Sequence, residues 1–477
     1  MTEKPKHIHI IGICGVLNSA LAIALHKKGW KVTGSDKGFF PPVSTYLSEA
    51  GVPYYAGWHP EKMVANGAPD IIVTATASGT QNPETLYARE HGLTIKSPVD
   101  IFEEYFIAER SIVCVGTWGK TSSSALLSFI LDKAGLNPSY MFGGVSLSHE
   151  QSAHISEGGW SVFEGDEYKS SPTDSSAKFF HYKPTHLLIT AVSWDHADLY
   201  PTEESYFDAF KKLVSLIPSQ GKIVACTDDE GVNKILDEAK EAQVITYGKQ
   251  SDAMYTYGHV TETRSGISFT ISHGESEYKI NSPMLGGFQA ENITGCFAMA
   301  CEAGISPEKI IEAVADFKGL KRRLEKRYEN DITVVDDIAH SPEKASSVLK
   351  TLRTIYSGSI FTIFEPNIGG RKMEAKEKYH NAFKDADQVI IPRLTKLKVT
   401  DDEKDQPIEG NVLRDIVAES HANTFYIDND EALIQHLLNH AKKGDVIAFL
   451  GSHGFRGMIE QLVTSLHPQS PLPPSRL

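Results

Sequence analysis

The residues GTWGKTSSS, 116–124, combine the side chains and glycines that bind phosphate groups. They follow an apolar run, RSIVCV, and precede a helical pattern, so backbone N–H groups and the positive end of a helix would point at a bound anion. Glycine lets the backbone approach phosphate, lysine neutralises its oxygens, and threonine offers a hydroxyl to Mg²⁺. The spacing is shorter than the usual G-x-x-x-x-G-K-[ST] pattern. The predicted ATP-binding residues of this loop are Gly116, Thr117, Gly119, Lys120, Thr121 and Ser122.

Acidic residues after two later strand-like segments could complete a magnesium site. The run WSVFE ends in Glu164 within the sequence EGDE, and HLLITAVSW is followed by Asp195, His196 and Asp198. Taken alone, the second group could equally cap the helix predicted after it. A carboxylate at a strand tip beside a phosphate loop is where a magnesium ligand belongs, so together these segments favour metal binding. Thr121 and Glu164 are therefore predicted metal ligands, and the group at 195–198 is a candidate for a further one.

Strand-like and helical patterns alternate along most of the chain, which is typical of an α/β fold with parallel sheets. HIHIIG, WKVTGSD and APDIIVTAT belong to a first unit, the phosphate loop opens a second, and ITVVDD, SIFTIFEP, ADQVIIP and GDVIAFLG belong to a third. The alternating run from YTYG to EYKI predicts antiparallel strands attached to the middle unit. We predict domains at 1–105, 106–318 and 319–466, followed by a disordered, proline-rich tail at 467–477.

Bulk composition excludes several classes of protein. The chain has 477 residues and a net charge of -14, which argues against nucleic-acid binding because phosphates require a basic face. The five cysteines are scattered without a C-x-x-C pair, which fits a reducing compartment. No signal-peptide pattern and no membrane-spanning apolar stretch are present, so we expect a cytoplasmic protein that does not bind membranes. The loop lacks a downstream guanine-reading Asn/Thr-Lys-x-Asp pattern, which favours ATP over GTP.

These motifs resemble those of the Mur ligase family, the ATP-dependent amide-forming enzymes of peptidoglycan synthesis. The family's loop has the short form Gly-Thr-x-Gly-Lys-Thr, usually with histidine where this chain has Trp118. The resemblance extends over nearly the whole chain and implies an N-terminal Rossmann-like domain, a central P-loop ATPase domain and a C-terminal Rossmann-like domain. Its further segments are GICG at 12–15, GSD at 34–36, NPE at 82–84, GGFQAENITG at 286–295, GLKRRLE at 319–325 and VVDDIAHSP at 334–342.

The resemblance also implies roles for individual residues. Thr121, Glu164 and His196 would bind magnesium. Lys120 and His196 would be catalytic, and Asn292 would read adenine. Arg323, also catalytic, and Asp337 would close over the nucleotide. The implied UDP-sugar-binding residues are Gly12, Cys14, Gly15, Ser35, Asp36 and Thr76.

Two residues of the last domain are implied to act on the incoming amine. His340 is a candidate base that would deprotonate it, although a structural histidine at a strand end is an equally good interpretation. Arg371 is the only arginine in FEPNIGGRKME that could bind a carboxylate of that substrate.

The implied substrates are ATP with Mg²⁺, UDP-N-acetylmuramate and an amino acid or short peptide, handled by a monomer or homodimer. The amine could be L-alanine or a recycled tripeptide of the type L-alanyl-γ-D-glutamyl-diaminopimelate. Several segments, among them GICG, PPVSTYL, WDHADLY and GSHGFRGM, resemble the peptide-adding members more closely, so we expect the tripeptide. The sugar's carboxylate would be activated as an acyl phosphate before the amine attacks.

Some positions depart from the family pattern. Phe288 and Gln289 stand where a His-Asn pair is expected, and Trp118 replaces a histidine. Many family members carry a carbamylated lysine that supports magnesium, and Lys211 or Lys212 lies at a suitable distance after His196. We favour two solvated lysines on an amphipathic helix at these positions.

Two other classes of function compete with a ligase. A nicotinamide dehydrogenase would use GICGVLNSALA and Asp36, but Leu17 and Asn18 stand where the third glycine of its fingerprint is required. An inactive nucleotide-binding protein would explain the departures from the family pattern. The retained Lys120 and Glu164 argue against such loss of activity.

Overall fold

The computed structural model describes residues 6–39, 43–74, 81–149, 151–171, 174–250, 252–396 and 407–467. They form three sheets of mainly parallel strands with flanking helices, which confirms the predicted α/β class. Contacts divide the chain into two compact units. The first comprises residues 1–260, 268–283 and 288–320, and the second comprises 261–267, 284–287 and 321–477.

The N-terminal sheet of the first unit has the strand order β3-β2-β1-β4-β5, and all its adjacent pairs are parallel. Parallel strands need crossover connections, which are supplied here by helices, three of which begin at a proline. The strands are β1 (His7–Ile11), β2 (Lys31–Asp36), β3 (Tyr54–Ala56), β4 (Ile71–Thr74) and β5 (Thr94–Lys96). The helices are α1 (Val16–Lys27), α2 (Val43–Glu49), α3 (Pro60–Met63), α4 (Pro83–Glu90) and α5 (Pro98–Tyr105).

The second sheet of the first unit carries the phosphate loop at the end of a central strand. Its order is β15-β14-β13-β12-β11-β10-β6-β9-β7-β8. Strand β6 lies between β10 and β9 and is parallel to both, so the carboxyl ends of the three strands meet at one edge. The strands are β6 (Arg110–Val115), β7 (Ser139–Met141), β8 (Ala153–His154), β9 (Trp160–Gly165), β10 (His186–Ile189), β11 (Lys222–Cys226), β12 (Gln243–Gly248), β13 (Tyr255–Thr263), β14 (Gly266–His273) and β15 (Ser276–Ser282).

Strands β13, β14 and β15 extend this sheet at one side and are joined by two-residue turns. Because turns of this length join only antiparallel strands, β13, β14 and β15 are antiparallel, as the alternating pattern predicts. Helix α6 follows the phosphate loop and is buried along most of its length, because it packs on β9 and against α9 and α10. The helices are α6 (Lys120–Lys133), α7 (Glu203–Ser215), α8 (Glu230–Asn233), α9 (Gln289–Glu302) and α10 (Pro307–Asp316), with 3₁₀ turns at Lys178–Tyr182 and Leu236–Glu238.

The sheet of the second unit has the order β16-β17-β21-β18-β19-β20, with only β16 antiparallel to its neighbour. Its central strands are buried on both faces. The strands are β16 (Glu325–Glu329), β17 (Thr333–Asp337), β18 (Ile360–Glu365), β19 (Gln388–Pro392), β20 (Thr424–Ile427) and β21 (Val446–Gly451). The helices are α11 (Pro342–Ile355), α12 (Gly410–Ala418), α13 (Asp430–His440) and α14 (Met458–Leu466), with 3₁₀ turns at Gly369–Arg371, Met373–Tyr379 and Phe455–Gly457.

A fully buried carboxylate connects the strands of the N-terminal sheet. Glu84 of α4 accepts hydrogen bonds from the hydroxyls of Ser35 and Tyr55 and from the N–H of His59 (2.8 Å), and His9 Nε2 lies 3.5 Å away. Burial opposes ionisation of Glu84, but these donors outweigh it and hold the pKa of the carboxyl below its usual value. The charged form of Glu84 therefore stabilises this part of the fold.

Replacing this carboxylate tests its contribution to stability. We expect Glu84→Gln to destabilise the protein by about 1–3 kcal/mol at neutral pH, because an amide NH₂ cannot accept the bonds that a carboxylate oxygen accepts. The folded pKa is depressed, so this contribution is present above the unfolded pKa of about 4.3 and disappears as pH falls through the folded value. Denaturant unfolding should therefore show a difference between wild type and variant that shrinks in acid. Glu90→Gln, at an exposed position of the same helix, is the control, and equal effects of the two substitutions would contradict the prediction.

Candidate functional site

The phosphate loop is held against the residues that follow β10. Gly116 has a φ of 137°, and a Cβ there would lie 2.3 Å from Thr190 Oγ1 and 2.7 Å from the carbonyl oxygen of Ala191. The N–H of Thr117 donates to the same carbonyl (2.8 Å), and the Thr117 hydroxyl donates to the carbonyl of Ser193 (2.9 Å). Both the backbone angle and the lack of space require glycine at the start of the loop.

The end of the loop lies against the first turn of α9. Gly119 has a φ of 84°, and a Cβ there would lie 2.6 Å from the side-chain oxygen of Asn292. The buried Asn292 amide also lies 3.4 Å from Gln289 Oε1. Trp118 and Phe288 are 55% and 53% exposed. The predicted adenine-reading asparagine is thus beside the loop, together with two exposed aromatic side chains at the positions that depart from the family pattern.

The lysine of the loop is not a solvated side chain. Lys120 Nζ donates to the carbonyl oxygen of Gly116 (2.6 Å) and to both carboxylate oxygens of Glu167 (2.8 and 3.1 Å). The Glu167 side chain is 1% exposed, and its main-chain oxygen accepts a bond from the Tyr200 hydroxyl (2.7 Å). Glu167 is not among the site residues predicted from the sequence. Its position three residues after the strand-end Glu164, in EGDE, could have indicated it.

Two of the predicted metal ligands are in direct contact. Thr121 Oγ1 donates to Glu164 Oε1 (2.7 Å), and the N–H of Gly143 donates to the other oxygen of the same carboxylate. Glu164 lies at the end of β9, where the strand register pairs it with Cys114 of β6. A hydroxyl and a carboxylate at this separation are the hard oxygen donors that Mg²⁺ prefers. The donor set therefore fits a magnesium ion held with a nucleotide phosphate.

The third predicted ligand, His196, lies near Glu167. His196 has a φ of 55°, and its Nε2 is 3.6 Å from Glu167 Oε1. Asp195 accepts a bond from the N–H of His196 (2.7 Å), and Asp198 accepts one from the Tyr168 hydroxyl (2.9 Å). Neither aspartate caps the following helix, since the N-cap of α7 is Thr202. The sequence hypothesis of helix capping at 195–198 is therefore wrong.

The two lysines considered for carbamylation lie on α7. Lys211 Nζ is 3.5 Å from a carboxylate oxygen of Asp208, one turn earlier in the helix. Lys212 Nζ lies 4.8 Å from the centre of the Phe180 ring. These are contacts of partly exposed helix side chains, in keeping with the favoured interpretation of two solvated lysines.

In the N-terminal sheet, the turn GICG is held by an aspartate of the next strand. Gly12 has a φ of 77°, and its carbonyl accepts a bond from the Asn18 side chain (3.0 Å). The N–H of Cys14 donates to Asp36 Oδ2 (2.9 Å), and burial raises the pKa of the Cys14 thiol to about 11. Gly15 is the N-cap of α1. The predicted sugar-nucleotide residues Gly12, Cys14, Gly15 and Asp36 are thus gathered at the carboxyl ends of β1 and β2, which is where parallel sheets bind ligands.

The structure does not support the predicted role of Ser35 in binding the UDP-sugar. Its side chain is fully buried and its hydroxyl donates to Glu84, so it supports the strand instead of presenting a group to a ligand. Strand β2 alternates faces, and position 35 points into the interior. Thr76, the remaining predicted residue, lies outside the described residues.

In the second unit, Asp337 and His340 lie at and just after the end of β17. Asp337 is buried and accepts bonds from the N–H groups of Leu324 (2.7 Å) and Ala339 (2.8 Å), yet burial still raises the pKa of its carboxyl. His340 Nδ1 lies 2.7 Å from the carbonyl oxygen of Ile338 and must donate to it, which leaves the lone pair of a neutral ring on Nε2. Burial, followed by the charge of Lys344, lowers the pKa of His340. A neutral imidazole with a free acceptor nitrogen suits a general base.

The neighbouring arginines have different environments. Arg322 donates to the main-chain oxygens of Ser452 (3.2 Å) and His453 (2.9 Å), and it pairs with Asp336 (3.3 Å). Arg322 therefore fixes the loop after β21. Arg323, the residue predicted to contact nucleotide, is exposed.

Arg371 does not fit the role predicted for it. Its side chain is 3% exposed, Nε donates to the carbonyl oxygen of Ile408 (3.0 Å), and Nη1 donates to that of Thr395 (2.8 Å). An arginine occupied by main-chain carbonyls in the interior is a structural residue. The expectation that it binds a substrate carboxylate is corrected accordingly.

Comparisons with known proteins identify one family from residue 7 to residue 453. Residues 7–109 match the model "Mur ligase family, catalytic domain", residues 115–300 match "Mur ligase middle domain", and residues 322–453 match "Mur ligase, glutamate ligase domain". The fold resembles that of the UDP-N-acetylmuramate-alanine ligase from Thermotoga maritima, with a TM-score of 0.78 over 96% of this chain and 99% of that one at 22% identity.

Two relatives of similar sequence are named as ligases of different amines. The UDP-N-acetylmuramate–L-alanine ligase of Acetivibrio thermocellus is 30% identical over 94% of each chain. The UDP-N-acetylmuramate–L-alanyl-gamma-D-glutamyl-meso-2,6-diaminoheptandioate ligase of Haemophilus influenzae is 27% identical over 97% of this chain and 99% of its own. With all three family models matched in order and a 30% identical relative aligned over almost its full length, the chain belongs to the Mur ligase family.

Proposed function

We propose that this protein is an ATP-dependent ligase of peptidoglycan synthesis or recycling. It joins a peptide of the L-alanyl-γ-D-glutamyl-diaminopimelate type to the lactyl carboxylate of UDP-N-acetylmuramate. The observation that carries the proposal is the group formed by Lys120, Thr121, Glu164 and Glu167 at the ends of β6 and β9, which has the charges needed to hold a nucleotide phosphate with its metal.

The chemistry requires activation of a carboxylate. A carboxylate oxygen attacks the γ-phosphorus of ATP, giving an acyl phosphate and ADP, and the amine then attacks the acyl carbon and expels phosphate. Lys120 supplies positive charge to the phosphate oxygens, while Thr121 and Glu164 would hold Mg²⁺. When bound, Mg²⁺ neutralises charge on the transferring group. The N–H of Thr117 fixes the loop to the end of β10, and the N–H groups at the start of α6 are proposed to bind the phosphates.

Residues of the second unit are assigned roles in the same reaction. His340 is the proposed base, because its Nε2 can accept a proton from the substrate's ammonium group, which leaves a neutral amine able to attack. Arg323 and Asp337 are proposed to contact the nucleotide, as their motifs imply. Asn292 is proposed to read adenine from its position beside Gly119.

The peptide is preferred to L-alanine on two grounds. The segments quoted above resemble peptide-adding members, and a peptide-adding relative aligns over 99% of its length. L-Alanine is the alternative, supported by the name of the Acetivibrio relative.

Among the described residues, no helix has the length and apolar character needed to cross a bilayer. The five cysteines are free thiols, as in proteins of a reducing compartment. We propose a cytoplasmic enzyme that acts on small-molecule substrates, does not bind nucleic acid, and is a monomer or homodimer.

Removing the loop lysine should abolish ligation. We expect Lys120→Met to lower ATP-dependent product formation by about 10²–10³-fold, since a positioned positive charge on a transferring phosphoryl group is lost. Mass detection of the UDP product is the measurement. Lys133→Met at the exposed end of the same helix is the control, and thermal unfolding of both variants separates lost chemistry from lost folding. Wild-type turnover in Lys120→Met would show that the ATP site is elsewhere.

Removing the strand-end carboxylate should weaken the response to magnesium. Glu164→Gln preserves size but removes the negative charge that Mg²⁺ prefers. We expect a higher Mg²⁺ concentration at half-maximal turnover and a lower maximal rate. A magnesium titration of the ligation reaction measures both quantities, and an unchanged titration curve would remove Glu164 from the metal site.

A side-by-side assay of the two amines tests which of them is the preferred substrate. Purified enzyme is supplied with ATP, Mg²⁺ and UDP-N-acetylmuramate, and with either L-alanine or L-alanyl-γ-D-glutamyl-diaminopimelate. We expect the tripeptide to have the higher kcat/KM, because a site with several polar contacts gains more from a substrate that satisfies them. A higher kcat/KM for L-alanine would replace the peptide-adding proposal with the alanine-adding alternative.

A further inference from the structure

All the hydrogen-bonding capacity of the Lys120 ammonium group is used within the protein. Its three N–H bonds have three acceptors within 3.1 Å, namely the Gly116 carbonyl and the two oxygens of Glu167. Lys120 is itself largely buried, with a side chain 13% exposed. A phosphate that binds to the loop can therefore gain this lysine only by displacing one of these acceptors, and two of the three are the oxygens of Glu167.

Loss of the lysine would leave the negative charge of Glu167 buried without a partner. A buried carboxylate that loses its partner charge is strongly destabilised unless another cation replaces that charge. Of the described residues, Tyr206 and His196 also approach the carboxylate: the Tyr206 hydroxyl lies 3.5 Å from Oε1, and His196 Nε2 lies 3.6 Å from the same oxygen. The first is neutral, and the second is beyond normal hydrogen-bond distance.

We propose that Glu167 links nucleotide binding to the binding of a divalent cation. In the ligand-free protein it positions Lys120, and once a phosphate takes the lysine, the freed carboxylate is compensated by the cation that accompanies the nucleotide. Glu167 is thus a positioning residue that disfavours a nucleotide arriving without its metal. This inference rests on the proposed ATP site.

The linkage has a direct consequence for affinity. Metal-free nucleotide must bind while a carboxylate remains buried without a partner, whereas magnesium-bound nucleotide need not. Replacing Glu167 by glutamine removes that penalty, because a neutral amide does not require a cation. Affinity for metal-free nucleotide should then rise, and the gain from magnesium should fall.

Calorimetry of ADP binding tests this without any turnover. For wild type we expect ADP to bind at least 30-fold more tightly with Mg²⁺ than with EDTA. Glu167→Gln should bind metal-free ADP about tenfold more tightly than wild type and should lose at least tenfold of the magnesium enhancement. Glu167→Asp, which keeps the charge, should retain most of the enhancement. Asp166→Asn is the matched control, because this nearby carboxylate pairs with Lys178 instead of Lys120.

The outcomes separate the linkage from the ATP site itself. Absence of ADP binding to wild type under both conditions would overturn the proposed ATP site. ADP binding to wild type that does not depend on Mg²⁺ would overturn the linkage, even if no variant folded. The linkage is also wrong if Glu167→Gln, shown to be folded by thermal unfolding, keeps both wild-type affinities within twofold. Equal effects of Asp166→Asn and Glu167→Gln would show a general charge effect and contradict the specific role of Glu167.

Discussion

The central constraint in this structure is the close approach of the phosphate loop to the end of β10. No Cβ fits at Gly116, because Thr190 Oγ1 and the carbonyl of Ala191 occupy its place. The same residues then bind the loop through Thr117 and Trp118. This contact fixes where α6 begins, and with it the positions of Lys120 and Thr121 at the first turn.

The remaining site residues follow from sheet topology. Because β6 lies between β9 and β10 and all three run in the same direction, residues far apart in sequence end at one edge. Glu164 lies at the end of β9, and the segment with His196 follows β10. Two carboxylates, a lysine, a hydroxyl and an imidazole thereby share one small region in a chain whose overall charge is -14. The anionic substrates proposed here would depend on this local arrangement of charge and not on the net charge.

Buried carboxylates serve different purposes in the two parts of the first unit. Glu84 is satisfied by hydroxyl, imidazole and backbone donors, so it stays ionised and ties strands together. Glu167 is satisfied mainly by a single lysine that the proposed function requires elsewhere. The first arrangement has no reason to change during a reaction, whereas the second is stable only until an anion competes for the lysine.

The sequence by itself determined the α/β class, the phosphate loop with its helix, and the association of Glu164 with Thr121, because these depend on local patterns and on strands ending at a common edge. It did not determine which side chains face inward. Ser35 and Arg371 were assigned to ligands from motif position, but tertiary packing buries the first against Glu84 and the second against main-chain carbonyls. Likewise, only the folded chain decides that Arg322, and not Arg323, holds the loop after β21, and that Glu167 lies on Lys120. Side-chain partners of this kind come from residues distant in sequence, and no local pattern encodes them.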